Sequence, residues 1–176
     1  MTTPGQTVGP FFHDGLPYAG GGDLVPPGSP GAVRLHGHVY DGAGQPVPDA
    51  LLEIWQTDPD GNVVQTGGSL RRDGWTFTGW GRAATDLTGH YSFSTLLPGG
   101  DSPFFAVTVF ARGLTDRLFT RAYLPGADNP FLASLDPDRR DTLIAVPDAH
   151  GFVFDVWLQG DRETVFLSFP QHRDAD

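Results

Sequence analysis

"GHYSFSTLLPGGDSPFFAVTVFARG", residues 89–113, holds two runs of alternating apolar and polar side chains separated by a Pro-Gly break. Period-two alternation sends successive side chains to opposite faces of an extended chain, so each run reads as a half-buried strand. Tyr91 stands near the start of the first run, and the second contains no histidine. Upstream, "VRLHGHVYD" sets Val33, Leu35, Gly37 and Val39 against Arg34, His36, His38 and Tyr40. Turn signals at Asp41-Gly42 and Gly44 then lead into "LLEIWQTD", residues 51–58, as the next strand. Further strands are expected over 75–78, 90–96, 104–112, 118–124, 152–159 and 164–169, divided by Gly, Pro and Asp-rich breaks. Short strands this numerous and evenly spaced predict an all-β fold, mainly an antiparallel β-sandwich. Asn129-Pro130 and Asp136-Pro137 each place a capping side chain before a proline at the first helical position, which adds a few short helical turns.

The chain of 176 residues fits one domain on a prior of roughly 150 residues each. Gly 24 and Pro 16 approach the range of disordered chains, but Phe 13 and Trp 4 supply the aromatic mass of a core. With Asp+Glu 21 against Lys+Arg 11, and no lysine at all, the net charge is -10. Such a surface repels phosphate backbones and anionic lipid, so neither nucleic acid nor membrane is an expected partner. The absence of cysteine excludes disulfides and thiolate metal sites. The start, "MTTPGQTVGPFF", lacks a basic region followed by an apolar one, and no later apolar run reaches about 18 residues. A soluble cytoplasmic protein is the expectation. Residues 1–31 are aperiodic yet aromatic, so Phe11, Phe12 and Tyr18 are expected to pack on this domain or a neighbour. The expected division is an extended N-terminal arm over 1–31 and a β-sandwich over 32–176.

Four groups of residues have side chains suited to chemistry. His36 and His38 share one face of their strand and suit either a metal or simple solvent-facing hydrogen bonding. No carboxylate or tyrosinate close in sequence completes a ligand set on that face. Tyr91 reads as a packing residue or, with partners, as a phenolate ligand. The pairs Arg71-Arg72 and Arg139-Arg140 read as solvated surface charge. Arg121 lies within the apolar run "DRLFTRAYLPG", where a guanidinium needs a buried carboxylate or a cleft. In a cleft it can fork onto the carboxylate of an aromatic acid. Nucleophile-elbow, zinc-protease and P-loop motifs are all missing.

An ordered set of stretches carries a resemblance. They are "GQTVGPFF" at 5–12, "GHVYDGAGQPVPDALLEIWQTDPDG" at 37–61, "GWGRAATDLTGHYSFSTLLPG" at 79–99, "FARGLTDRLFTRAYLP" at 110–125, "RRDTLIA" at 139–145 and "LQGDRETVFLSF" at 158–169. Together they resemble the intradiol ring-cleavage dioxygenase family, and the last three resemble its alpha type of subunit in particular. The resemblance implies that beta-type members hold a non-haem ferric ion with two tyrosines and two histidines. The histidines form an H-x-H pair on the strand after the Pro-Gly turn. Here the matching positions are Phe104 and Ala106, which cannot bind iron, and the short loop "GGDSP" lacks the second tyrosine. Tyr91 aligns with the first tyrosine, and one phenolate does not make a ferric site.

The resemblance therefore implies no catalytic and no metal-ligating residue in this chain, with Fe(III) held by a partner beta subunit. It implies an N-terminal segment that reaches into a shared active site, where Thr7, Gly9 and Pro10 line the substrate pocket and Arg121 approaches from its strand. The implied reaction is oxygen-dependent cleavage of 3,4-dihydroxybenzoate (protocatechuate) to 3-carboxy-cis,cis-muconate in a hetero-oligomer of alpha and beta chains, the isolated chain being inactive. Two other readings stand beside it: a self-sufficient homomeric dioxygenase, and a transthyretin-like binding module that shares the strand-turn-strand run without the chemistry.

Overall fold

The computed structural model describes Thr7, Gly9 and residues 11–169. Nine strands follow one another along the chain: β1 (Ala32–Tyr40), β2 (Leu51–Trp55), β3 (Trp80–Ala84), β4 (His90–Leu96), β5 (Phe104–Phe110), β6 (Leu118–Tyr123), β7 (Val146–Pro147), β8 (Gly151–Val153) and β9 (Val156–Trp157). Three helical turns accompany them: α1 (Phe12–Gly15), α2 (Pro130–Ala133) and α3 (Pro137–Asp141). The first sheet runs β4-β1-β8-β7, with β9 also pairing on β1, and the second runs β3-β2-β5-β6. Only β8 and β9 run parallel to their neighbour β1; the other pairings are antiparallel. The fold is the expected all-β sandwich.

The two runs on either side of the Pro-Gly break belong to different sheets. β4 lies in the first and β5 in the second, so residues 97–103 cross over one end of the sandwich. That crossing is pinned at several points. Gly99 N–H donates to the Asp58 carbonyl at 2.9 Å and Thr57 Oγ1 to the Gly99 carbonyl at 2.9 Å. The buried Gln56 amide donates to the Leu96 carbonyl at 2.8 Å.

The alternation read from sequence builds the core. Leu35, Val39, Tyr91 and Phe93 of the first sheet meet Leu52, Ile54, Phe105, Val107, Val109 and Ala122 of the second in one cluster. Burying each such side chain contributes roughly 1.5–3 kcal/mol. Leu24 of the N-terminal segment joins the same cluster and is 3% exposed. It occupies the space a side chain at Gly81 would need, and its N–H donates to the Ser94 carbonyl at 2.8 Å. A second, smaller cluster of Tyr123, Leu132 and Leu143, with Phe104 and Phe131 packed on it, covers part of the outer face of the second sheet.

Several sequence expectations need correction. Residues 75–78 form no strand, because Asp73 Oδ1 accepts from the backbone N–H groups of Trp75 and Thr76 and curls the chain there. The strand lies instead at β3, whose Gly and Ala content gave little β signal. The run 152–159 breaks into β8 and β9, and 164–169 is not a strand. Its N–H groups serve two different neighbours, Thr164 donating to Trp157 and Leu167 to Phe119. Asn129 caps α2 by accepting from the Phe131 N–H at 2.8 Å, whereas Asp136 makes no side-chain cap to α3. Arg72 is not solvated charge. Its guanidinium donates to the carbonyls of Gly20, Gly21 and Trp80 and to Thr78 Oγ1. Arg139 likewise donates to the Glu163 carbonyl at 2.6 Å.

Candidate functional site: the outer face of the second sheet

Register brings the relevant side chains into rows. Trp80 lies opposite Trp55, Trp55 opposite Ala106, and Ala106 opposite Arg121, so one outward row crosses all four strands of the second sheet. Directly opposed residues share a face. Strands about 4.8 Å apart put Trp55 and Arg121 roughly 10 Å from each other, with only the Ala106 methyl between them. Trp55 remains 37% exposed although it belongs to an inner strand of this sheet.

Arg121 is held by aromatic groups rather than by a carboxylate. Its guanidinium carbon sits 4.4 Å from the centroid of Phe104 and 5.9 Å from that of Phe131. Nη1 donates to the Tyr123 hydroxyl at 3.0 Å. Among the described residues no acid forms an ion pair with it. Cation–π contacts of this kind stabilise by about 0.5–2 kcal/mol and leave the net charge uncompensated. The guanidinium is thus oriented and half-buried, with its positive charge available to an anion. Of the two sequence readings, the buried ion pair is not seen among the described residues.

A pocket of about 210 Å³ adjoins this face, lined by Trp55, Thr57, Gly99, Ser102 and Phe104 among others. Small-molecule sites usually span roughly 300–1,000 Å³, so this pocket alone is smaller than most. Three larger clefts lie elsewhere, and two of them are less suited to an anionic ligand. One of about 550 Å³ is lined by Asp138, Asp141, Asp155 and Asp161. In the other, of about 340 Å³, Arg72 is already engaged by three carbonyls.

The residues present do not fit a ferric ion. The outward side chains of β5 are Phe104, Ala106, Thr108 and Phe110, so moving the family match by two residues still finds no imidazole. Tyr91 is 1% exposed, and its hydroxyl donates to the Phe154 carbonyl inside the sandwich. Burial pushes that phenol well above its ordinary range, opposing phenolate formation. Among the described residues, no three histidine, cysteine or carboxylate side chains are grouped to hold a metal ion.

The other sequence candidates fall in two places. Thr7 Oγ1 accepts from the Gly9 N–H at 3.2 Å, and Gly9 has φ +80, a conformation that favours glycine; Pro10 lies outside the described residues. No hydrogen bond or ring contact joins Thr7 or Gly9 to Arg121. The segment that follows them lies along β3, where Arg82, paired with Glu53, also donates to the Leu16 carbonyl at 3.0 Å. His36 and His38 share the outer face of β1 as expected, but carboxylates do reach them, Asp148 and Asp155 arriving from distant sequence. Trp55, Phe131 and Tyr123 escaped the sequence reading because only strand register and the return of α2 bring them to Arg121.

A dioxygenase family model matches residues 9–108, more than half of the chain. The chain belongs to this dioxygenase family. The protocatechuate 3,4-dioxygenase alpha chain of Pseudomonas putida is 35% identical over 95% of this chain and 96% of its own length. The protocatechuate 3,4-dioxygenase beta chain of Burkholderia cepacia is 31% identical, over 88% of this chain and 74% of its own. Among solved structures, the dioxygenase domain of a dioxygenase carbohydrate-binding protein fusion from Streptomyces sp. SirexAA-E superposes with a TM-score of 0.58. It has 27% identity and covers 90% of this chain and 98% of that one. Likeness across almost the whole length exceeds what a shared strand-turn-strand run would produce. Members of this dioxygenase family are oxidoreductases that in general depend on iron. No helix among the described residues is long and apolar enough to cross a membrane.

Proposed function

We propose that this chain is the alpha subunit of protocatechuate 3,4-dioxygenase. In this reading it completes, with an iron-holding beta subunit, the active site that cleaves 3,4-dihydroxybenzoate with O2 to 3-carboxy-cis,cis-muconate. The observation that carries the proposal is Arg121, a guanidinium fixed by Phe104, Phe131 and Tyr123 with no ion-paired acid among the described residues. A benzoate ring fits such a site, its carboxylate facing the guanidinium and its ring edge the aromatic wall. Between Trp55 and Arg121 the sheet carries only the small Ala106 side chain.

Further parts of the proposal follow from the family reading. Thr7, Gly9 and Pro10 line the substrate pocket, residues 1–31 act as an arm contacting the beta subunit, and residues 32–176 form the dioxygenase-like sandwich. Fe(III) resides in the beta chain, since the outward face of β5 here offers no imidazole. The functional unit is a hetero-oligomer in the cytoplasm, and the isolated chain is inactive.

The experiment is reconstitution with a protocatechuate 3,4-dioxygenase beta chain, followed by kinetics on 3,4-dihydroxybenzoate. A hydrogen bond to a charged group contributes about 1.5–3 kcal/mol, so Arg121→Gln should lower kcat/KM by roughly 10- to 100-fold. Assembly, read by size-exclusion chromatography, should not change. Wild-type kinetics in Arg121→Gln would return the residue to a packing role.

A further inference from the structure

On the first sheet, two opposite charges border one cavity without pairing. Asp23 bridges Ser94 of β4 in parallel, and Ser94 stands opposite Arg34 of β1. Paired residues share a face, so Asp23, Ser94 and Arg34 form an outward row with only a serine side chain in its middle. At strand spacings near 4.8 Å, the backbones of Asp23 and Arg34 lie roughly 10 Å apart. Beyond Arg34 the row ends at Gly151, which carries no side chain. The row borders a cavity of about 340 Å³ that Pro27, Val33 and His150 also line.

Neither charge is answered within the chain. Arg34 uses Nε alone, donating to Ser92 Oγ at 2.7 Å. Its Nη groups and the Asp23 carboxylate have no hydrogen-bond or ion-pair partner among the described residues. A ligand with an anion and a cation on neighbouring atoms joins the two at once. Its carboxylate accepts two N–H bonds from the open edge of the guanidinium, and its ammonium donates to Asp23. A simple anion is repelled by Asp23 and a simple cation by Arg34, so each charge selects against ligands that carry only one. The volume lies at the lower end of the usual range of roughly 300–1,000 Å³, which suits a small molecule.

We propose that this cavity binds a free α-amino acid with an apolar side chain. Arg34 takes its carboxylate and Asp23 its ammonium, Ser94 lies between them, and Pro27 and Val33 receive the side chain. The site lies on the sheet opposite Arg121, so binding can be read without turnover.

The test uses tag-free protein with any co-purifying subunit left in place, and isothermal titration calorimetry with L-leucine as probe. One saturable site per chain is expected. Leucinamide, which lacks the carboxylate, and 4-methylpentanoate, which lacks the ammonium, should bind at least roughly 10-fold more weakly, as should leucine to Arg34→Gln and to Asp23→Asn. Ser94→Leu fills the middle of the row and should abolish binding with both charges kept. On the wild-type protein, leucine should shield Arg34 from phenylglyoxal, read by peptide mass, while Arg117 reacts as before, which needs no variant to fold. No saturable binding, either analogue binding as tightly as leucine, binding that survives either charge substitution or Ser94→Leu, or equal modification of Arg34 with and without leucine would overturn the proposal.

Discussion

Replacing Tyr91 by Phe removes one oxygen and leaves the Phe154 carbonyl inside the core without its donor. An unmet buried acceptor costs about 1–3 kcal/mol, so Tyr91→Phe should lower the denaturation free energy by that amount. The iron content of a reconstituted complex should not change, because this phenol is not a ligand. Gly37, opposite Tyr91 on β1, has the Phe154 carbonyl where a Cβ would stand, so the hydroxyl meets that carbonyl across a glycine. This partnership was not legible in the sequence, where Tyr91 suited packing and ligation alike; it depends on the β8–β9 segment returning over β1. His90 gives a pH signature. Desolvation, and after it the His38 charge, holds its pKa below the ordinary 6.5. The unfolded chain therefore takes up a proton first, and stability present above pH 6.5 is lost as pH falls through the folded pKa. His90→Gln should flatten that part of the curve of Tm against pH.

Strands with clean alternation, β1, β4 and β5, were legible to within a residue or two at either end, because one face of each enters the core. β3 was not legible: its residues are Trp, Gly, Arg, Ala and Ala, and it is a strand because β2 offers an open edge. The link preceding it depends on Arg72, which joins residues 20 and 21, Thr78 and Trp80 through one guanidinium. In sequence that arginine reads as half of an exposed pair, since its acceptors are backbone carbonyls that no residue pattern records. Arg72→Met should cost about 2 kcal/mol, or some 4–8 °C in Tm for a chain of this size. Limited proteolysis should then cut first within residues 61–79. Unchanged Tm and unchanged cleavage would mean that the loop holds itself.

The molecule presents two outward faces of different character, an aromatic and cationic one on the second sheet and an imidazole and carboxylate one on the first. Most of their strands were readable from the sequence, but their membership was not, since Trp55, Ala106 and Arg121 become neighbours only through pairing across three strands. Deleting residues 1–12 should reduce turnover of the reconstituted complex by tenfold or more if Thr7 and Gly9 border the ring, as each tenfold is only about 1.4 kcal/mol of transition-state binding. Full activity after the deletion would remove those residues from the pocket. The N-terminal segment also has a duty that begins further along. Leu24 fills the volume that Gly81 leaves vacant, so two positions far apart in the chain share a single side chain's worth of space. A gene begun at residue 32 would therefore encode a sandwich with a hole beneath β3, and Leu24→Ala alone should cost about 2–5 kcal/mol. Adding Gly81→Ala should recover part of that loss although it is harmful by itself, a sign reversal in a double-mutant cycle.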